Sequence, residues 1–208
     1  MAISTTSIIF PIIVFMFIST TISAKASGSG SGKSKGTDLM VEACKNASID
    51  SCVETVPEEF CLSTLQSDNR SIQAKDLHDL VLIAMDITKV RLNAASDMVK
   101  QMLQNTMKGT VRMRVLRFCE VDYEEMASIL NICDAMIRNY EGYKGSVRFH
   151  ELASCVINAD HPADACEEEL HDMPEEVALF KENADLQMLV DMSANFLVPL
   201  AVREEMLF

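Results

Sequence analysis

Apolar positions along this chain recur at steps of three and four, the spacing that gathers side chains on one face of an α-helix. The cleanest run is Leu116, Cys119, Tyr123, Met126, Leu130, Cys133, Ile137 and Tyr140, which alternates steps of four and three after an initial three. Such a stripe is the seam of a left-handed helical bundle. Leu77, Val81, Ala84, Ile87, Ala94, Met98 and Met102 predict another long helix over about 74–106. Gly109 closes the connection between the two, and Thr110 is placed to cap the second. Leu152, Cys155, Ala159 and Cys166 predict a segment over about 146–170, broken or kinked at His161-Pro162. Phe180, Leu186, Leu189, Ser193, Phe196 and Leu200 predict a last one over about 176–205, its final turns distorted by Pro199.

Two shorter helices precede these. One runs over about 38–47 behind an N-cap at Thr37-Asp38. The other runs over about 57–66, with Pro57 as its first residue and acids in its first turn. Polar loops at Ser67–Ser71 and Glu141–Ser146, and a turn at Met173-Pro174, separate the segments. The pattern predicts an all-α fold: an up-down-up-down four-helix bundle over 74–205 with an N-terminal α-hairpin over 38–70. The 7 Gly and 5 Pro are too few for the tight turns of a sandwich or barrel.

Upstream of the helices the pattern changes. Met1–Ala26 reads as a secretory signal peptide: Ile8–Ile18 is an apolar core interrupted by Pro11, and Ala24-Lys25-Ala26 has the form of a cleavage site. Residues 27–37, which open with SGSGSGKSKG, form a flexible linker by composition, leaving a folded domain over 38–208. No later stretch reads as long and apolar enough to span a bilayer, so no membrane contact is expected after signal cleavage. The expected location is outside the cell.

Charge narrows the partners. The chain holds 18 basic and 31 acidic side chains, and Lys25, Lys33 and Lys35 precede residue 38 with no acid beside them. The folded part therefore carries −16. Nucleic acid, which needs a basic stripe to displace counterions, is excluded on that balance. A basic protein partner gains from electrostatic steering.

Export makes the 7 Cys candidates for disulfides, with an odd one left over. Cys119 and Cys133 are two heptads apart and share a helix face; Cys155 and Cys166 are about three turns apart and share another. Antiparallel packing sets Cys119 level with Cys166 and Cys133 near Cys155, although the two rungs differ by three residues, about 4.5 Å of rise. In the hairpin, Cys44–Cys61 and Cys52–Cys61 are both open. Asn46-Ala-Ser48 and Asn69-Arg-Ser71 are glycosylation sequons in an exported chain. No Cys-x-x-Cys, H-E-x-x-H, G-x-S-x-G or P-loop is present, and Glu167–Glu169 and Glu175-Glu176 lack EF-hand spacing. His78 and His150 read as helix-surface residues. No catalytic residue, metal or cofactor is expected.

With these residues placed, the chain resembles the plant invertase and pectin methylesterase inhibitor family. Val41–Ser48 and Phe60-Cys61-Leu62-Ser63-Thr64-Leu65 are similar to that family's disulfide hairpin. Arg70-Ser71 and Ala74-Lys75-Asp76-Leu77 are similar to the entry into its first long helix. Cys119 with Tyr123, Ala165-Cys166-Glu167 and Lys181–Asp185 fit later positions, and the resemblance covers about 38–200. It implies the architecture above, the disulfides Cys44–Cys61 and Cys119–Cys166, and an inhibitor, not an enzyme. The implied partner is a plant cell-wall enzyme, pectin methylesterase or invertase, with the inhibitor covering the substrate cleft. The Pro-Lys-Phe turn of some invertase-directed members is absent from His171–Glu176, which favours pectin methylesterase. Such esterases are often basic, which suits the acidic surface. Contact is expected through the surface of the 74–106 and 111–140 helices or through the turn after Cys166. Cys52, Cys133 and Cys155 exceed the family's four-cysteine framework. A pro-region attached to a pectinesterase is not expected, because no catalytic domain follows. A non-inhibitory binding module on the same fold is the other class, and a separate internal pocket would mark it.

Overall fold

The computed structural model describes residues 35–49, 55–143, 146–173 and 175–206. The expected signal peptide and Cys52 lie outside them. The helices among them are α1 (Lys35–Ile49), α2 (Glu58–Gln66), α3 (Leu77–Gln104), α4 (Val111–Arg138), α5 (Tyr140–Tyr143), α6 (Phe149–Ile157), α7 (Asp160–Leu170) and α8 (Val177–Glu205), with a 3₁₀ turn at Ser71–Gln73. Among the described residues there is no strand.

α3 packs against α4 and α8, α4 against α6 and α7, and these in turn against α8. This closes a four-membered ring in which the α6–α7 pair acts as one bent member. α1 and α2 pack on each other and lean on α3 and α8. Gly36 is buried at the start of α1, where a Cβ would drive into the backbone carbonyl oxygen of Ile72 in the 3₁₀ turn. The absence of a side chain is what lets the hairpin close on that turn.

Local chemistry sets the helix ends. Thr110 Oγ1 accepts the Met113 N–H at 3.2 Å and caps α4, as its sequence position predicts. Gly109, at φ 79°, turns the chain into that cap in a conformation that disfavours any side chain. Asp76 Oδ1 accepts the Asp79 N–H at 3.0 Å and starts α3 three residues later than the periodicity placed it. Thr37 and Asp38 lie inside the first turn of α1 and not at its cap, and Pro57 precedes the first helical residue of α2.

Two expectations are corrected. The 146–170 segment is two helices, and the break falls at Asn158–Ala159, ahead of His161-Pro162. Pro162 occupies the first turn of α7, where a missing N–H leaves no intrahelical bond unmade. Pro199 lies inside α8, which runs to Glu205, close to the expected 176–205. Beyond it, Glu204 accepts from the Tyr140 hydroxyl and from the Phe149 N–H, which holds the last turn against α5 and α6. Finally, α8 is long and apolar enough to cross a membrane, but 61% of its apolar window is buried inside the bundle, and Leu189–Leu197 are buried without interruption. It is the central core helix, walled by α1, α3, α6 and α7.

All eight inward positions of the 116–140 stripe are buried. On α3 the seam differs from the predicted one. Ala94 is exposed, while Leu80, Ala84, Thr88, Leu92, Ala95, Val99 and Leu103 are buried. Thr88 belongs on this seam because its hydroxyl donates to the Ala84 carbonyl at 2.8 Å and is satisfied within the helix.

Candidate functional site

Disulfides fix the framework on which the surface is displayed. Cys44–Cys61 joins α1 to α2 with Cα atoms 5.5 Å apart. Cys119–Cys166 joins α4 to α7 at 4.6 Å, and Cys133–Cys155 joins α4 to α6 at 5.8 Å. The three-residue mismatch between the two rungs is absorbed by the break at Asn158–Ala159, which lies between Cys155 and Cys166. Loop-closure entropy gives these cross-links stabilities of about 3, 4 and 3 kcal/mol in the same order.

Between the rungs a buried polar node ties three helices. The Tyr123 hydroxyl donates to Asn183 Oδ1 at 3.1 Å, and Asn183 Nδ2 donates to the Ala163 carbonyl at 2.9 Å. Both side chains have 0% exposure. Burial, with Glu182 and Asp122 nearby, drives the Tyr123 pKa well above the usual phenol range. The node therefore keeps its proton and acts as a fixed strut between α4, α7 and α8.

Outside the strut, α4 and α7 carry a ridge of carboxylates. Asp122 on α4 is half-buried. Burial, then the charges of Glu125 and Glu169, push its pKa up to about 6. Glu124 and Glu125 are exposed on α4 and Glu168 on α7. On its other side α7 meets α8 in a groove of about 530 Å³ lined by Asp160, Asp164, Glu167, Glu168, His171, Gln187 and Asp191. Gln187 Nε2 donates to Asp164 Oδ1 across it at 2.7 Å. The acidic surface thus runs from α4 over α7 to α8, and the first two of these helices are cross-linked at Cys119–Cys166.

A chain of alternating charges holds the other side. Arg70, in the turn after α2, pairs with Asp68 and with Asp86 of α3, both at 2.7 Å. Asp86 pairs in turn with Arg138 of α4, Arg138 with Asp134 at 2.9 Å, and Asp134 with Lys89 at 2.8 Å. Burial works to raise the Asp134 pKa, and the hydrogen bonds from Lys89 and Arg138 outweigh it, leaving the carboxyl below its ordinary value. This chain anchors the hairpin turn to the α3–α4 seam.

Asn46 is exposed on α1 and Asn69 in the turn after α2. Ser71, the third residue of the second sequon, has 0% exposure. Asp76, His78 and Asp79 bring ligand atoms within 4.8 Å of one another. Asp76 is occupied in capping α3, Asp79 accepts the Lys75 N–H, and His78 Nε2 donates to the Ile137 carbonyl at 3.2 Å. A cation there would also meet the positive end of α3. Sequence periodicity did not reveal the Tyr123–Asn183–Ala163 node or the nearness of Asp122 to Glu169. A polar Asn at a fully inward position of the last helix was the one available signal for the node.

The features define a class: a disulfide-cross-linked all-α bundle around a buried apolar core. Residues 38–197 match the family described as Plant invertase/pectin methylesterase inhibitor, and the chain belongs to that family, whose members are inhibitors and not enzymes. Its fold is similar to the crystal structure of mutant form A of a pectin methylesterase inhibitor from Arabidopsis, with a TM-score of 0.60 and 14% identity, covering 76% of this chain and 95% of that one. It is also similar to a pectin methylesterase inhibitor from Arabidopsis thaliana, with a TM-score of 0.52 and 14% identity, covering 79% and 96%. At that identity the likeness is one of fold. No curated protein matches the chain.

Proposed function

We propose that this protein is an exported inhibitor of pectin methylesterase, in which residues 1–26 are removed as a signal peptide, the linker expected over 27–37 ends before Lys35, where α1 begins, and the helical domain covers the enzyme's substrate cleft. The observation that carries the reading is the acidic α4–α7 ridge held on a disulfide-clamped frame in a chain of this family. A stiff frame loses little entropy on docking. Clustered carboxylates on one side speed encounter with a basic esterase. The names of both solved relatives point to the same target class. The ridge shares the 111–140 helix with the expected contact surface, but its remaining carboxylates lie on α7 and not on the 74–106 helix or the turn after Cys166.

The test is a side-by-side assay of the purified mature protein against a plant pectin methylesterase and an acid invertase. Saturable inhibition of the esterase, weakening as salt rises, is the expected result. Inhibition of invertase alone transfers the target. No effect on either enzyme at micromolar excess rejects the inhibitor reading in favour of a non-inhibitory binding module.

A further inference from the structure

Charge is unevenly spread over this acidic chain. From Met98 to Cys119 there is no Asp or Glu, yet Lys100, Lys108, Arg112, Arg114 and Arg117 all fall there, a third of the 15 basic side chains beyond residue 37. The fold gathers this run into one tip of the bundle: the last turns of α3, the connection over 105–110 and the first two turns of α4. Val111 to Arg117 rises about 9 Å, so the five cations sit within a few turns of one another.

Acids of the neighbouring α7–α8 turn reach only part of the tip. Glu176 pairs with Arg112 at 2.6 Å, and Asp172 lies 3.9 Å from Arg114. Arg117 pairs along its own helix with Glu120 and keeps 62% of its side chain exposed. Lys100 and Lys108 are exposed and take part in no ion pair among the described residues.

We propose that this tip is a second binding surface, and that its ligand is a linear polyanion of carboxylated sugar, the de-esterified pectin left where a pectin methylesterase has acted. The inference rests on the proposed target. Hydrolysis of each methyl ester turns a neutral group into a carboxylate, so the polymer gains charge where the enzyme works. Several cations on long, exposed side chains can follow a repeating row of carboxylates without a shaped pocket, and each contact releases counterions, as on other linear polyanions. Arg forks pair bidentately with carboxylates and Lys serves as a mobile point charge. The −16 body does not forbid this, because at about 0.1 M salt its field is screened beyond roughly 10 Å. The tip ends at Arg117 and the ridge begins beyond it on α4, so polymer and enzyme would meet different parts of one helix. Holding the inhibitor on the wall polymer raises its effective concentration near the enzyme.

The test needs no enzyme. Retention of the mature protein is measured on immobilised de-esterified pectin and on highly methyl-esterified pectin, at about 0.1 M and about 0.5 M salt. The expected result is retention on the de-esterified polymer alone, lost at the higher salt. It should weaken about tenfold or more in a Lys100→Gln/Lys108→Gln/Arg117→Gln variant whose thermal melt by circular dichroism matches the wild type. Equal retention on both polymers, retention on neither, or a well-folded variant that binds like the wild type overturns the proposal. Protein that binds the polymer but does not inhibit contradicts the target reading alone, whereas protein that inhibits without binding the polymer contradicts this inference alone.

Discussion

Replacing Tyr123 by Phe deletes one atom from the centre of the bundle and leaves the ring's volume in place. In the wild type, Tyr123 donates to Asn183 Oδ1 at 3.1 Å, with both side chains at 0% exposure. Asn183 Nδ2 is committed to the Ala163 carbonyl at 2.9 Å, so the amide cannot turn to seek another donor without breaking that bond. Tyr123→Phe therefore strands a buried acceptor, which costs about 2 kcal/mol. In a domain of this size that lowers Tm by about 4–8 °C. The internal control is Tyr140→Phe. Its partner Glu204 is partly exposed and keeps the Phe149 N–H, so the loss there should stay below about 1 kcal/mol. Urea unfolding followed by circular dichroism, with equal m-values for the three proteins, reads both numbers. A Tyr123→Phe loss under about 0.5 kcal/mol, or a larger loss for Tyr140→Phe, would refute the strut argument.

Other perturbations bear on different links. Gly36→Ala should cost about 1–3 kcal/mol and loosen the hairpin, read as faster amide exchange in α1 with little change in α4, because the new Cβ collides with the Ile72 backbone. Removing Cys119–Cys166 as a double Ala variant should lower stability by about 4 kcal/mol, against about 3 kcal/mol for Cys133–Cys155; the reverse order in urea melts would contradict the loop-closure account. Asp122 is raised in the folded state to about 6, so the folded chain binds the extra proton between its ordinary value and 6, and stability should fall as pH rises through that window. Solvent screening holds the effect to about 1 kcal/mol, and Asp122→Asn should abolish that part of the pH dependence in thermal melts; a slope unchanged by the substitution would show that the ridge carboxylate is not the source. Thr110→Ala should cost about 1 kcal/mol through the lost α4 cap, again by urea unfolding.

Why some of this could be read from sequence and some could not follows from where polar groups sit. The 116–140 stripe was legible because every inward position is apolar or aromatic, including two Cys. The α3 seam was not, because buried Thr88 hides its polarity in a bond to its own helix and so interrupts the apolar rhythm at the register that is in fact inward. α8 was legible as a helix over about 176–205, but its enclosed stretch was not, because Leu189–Leu197 is buried on every side and residues there need not alternate in polarity. Pro162 marks the break to within a few residues without causing it, since it sits in the first turn of the helix that follows. The acidic ridge could be read only as a count of carboxylates. That Asp122 meets Glu169 depends on α4 and α7 lying side by side, a tertiary fact that spacing along one chain does not carry.

The most direct measurement for the docking account is the association rate between the mature protein and a purified pectin methylesterase as a function of salt, for the wild type and for a Glu124→Gln/Glu125→Gln/Glu169→Gln variant. The ridge predicts a wild-type rate that drops steeply with rising ionic strength and a variant that is about tenfold slower at low salt with a flatter dependence. Identical rates and identical salt slopes for the two proteins would contradict it.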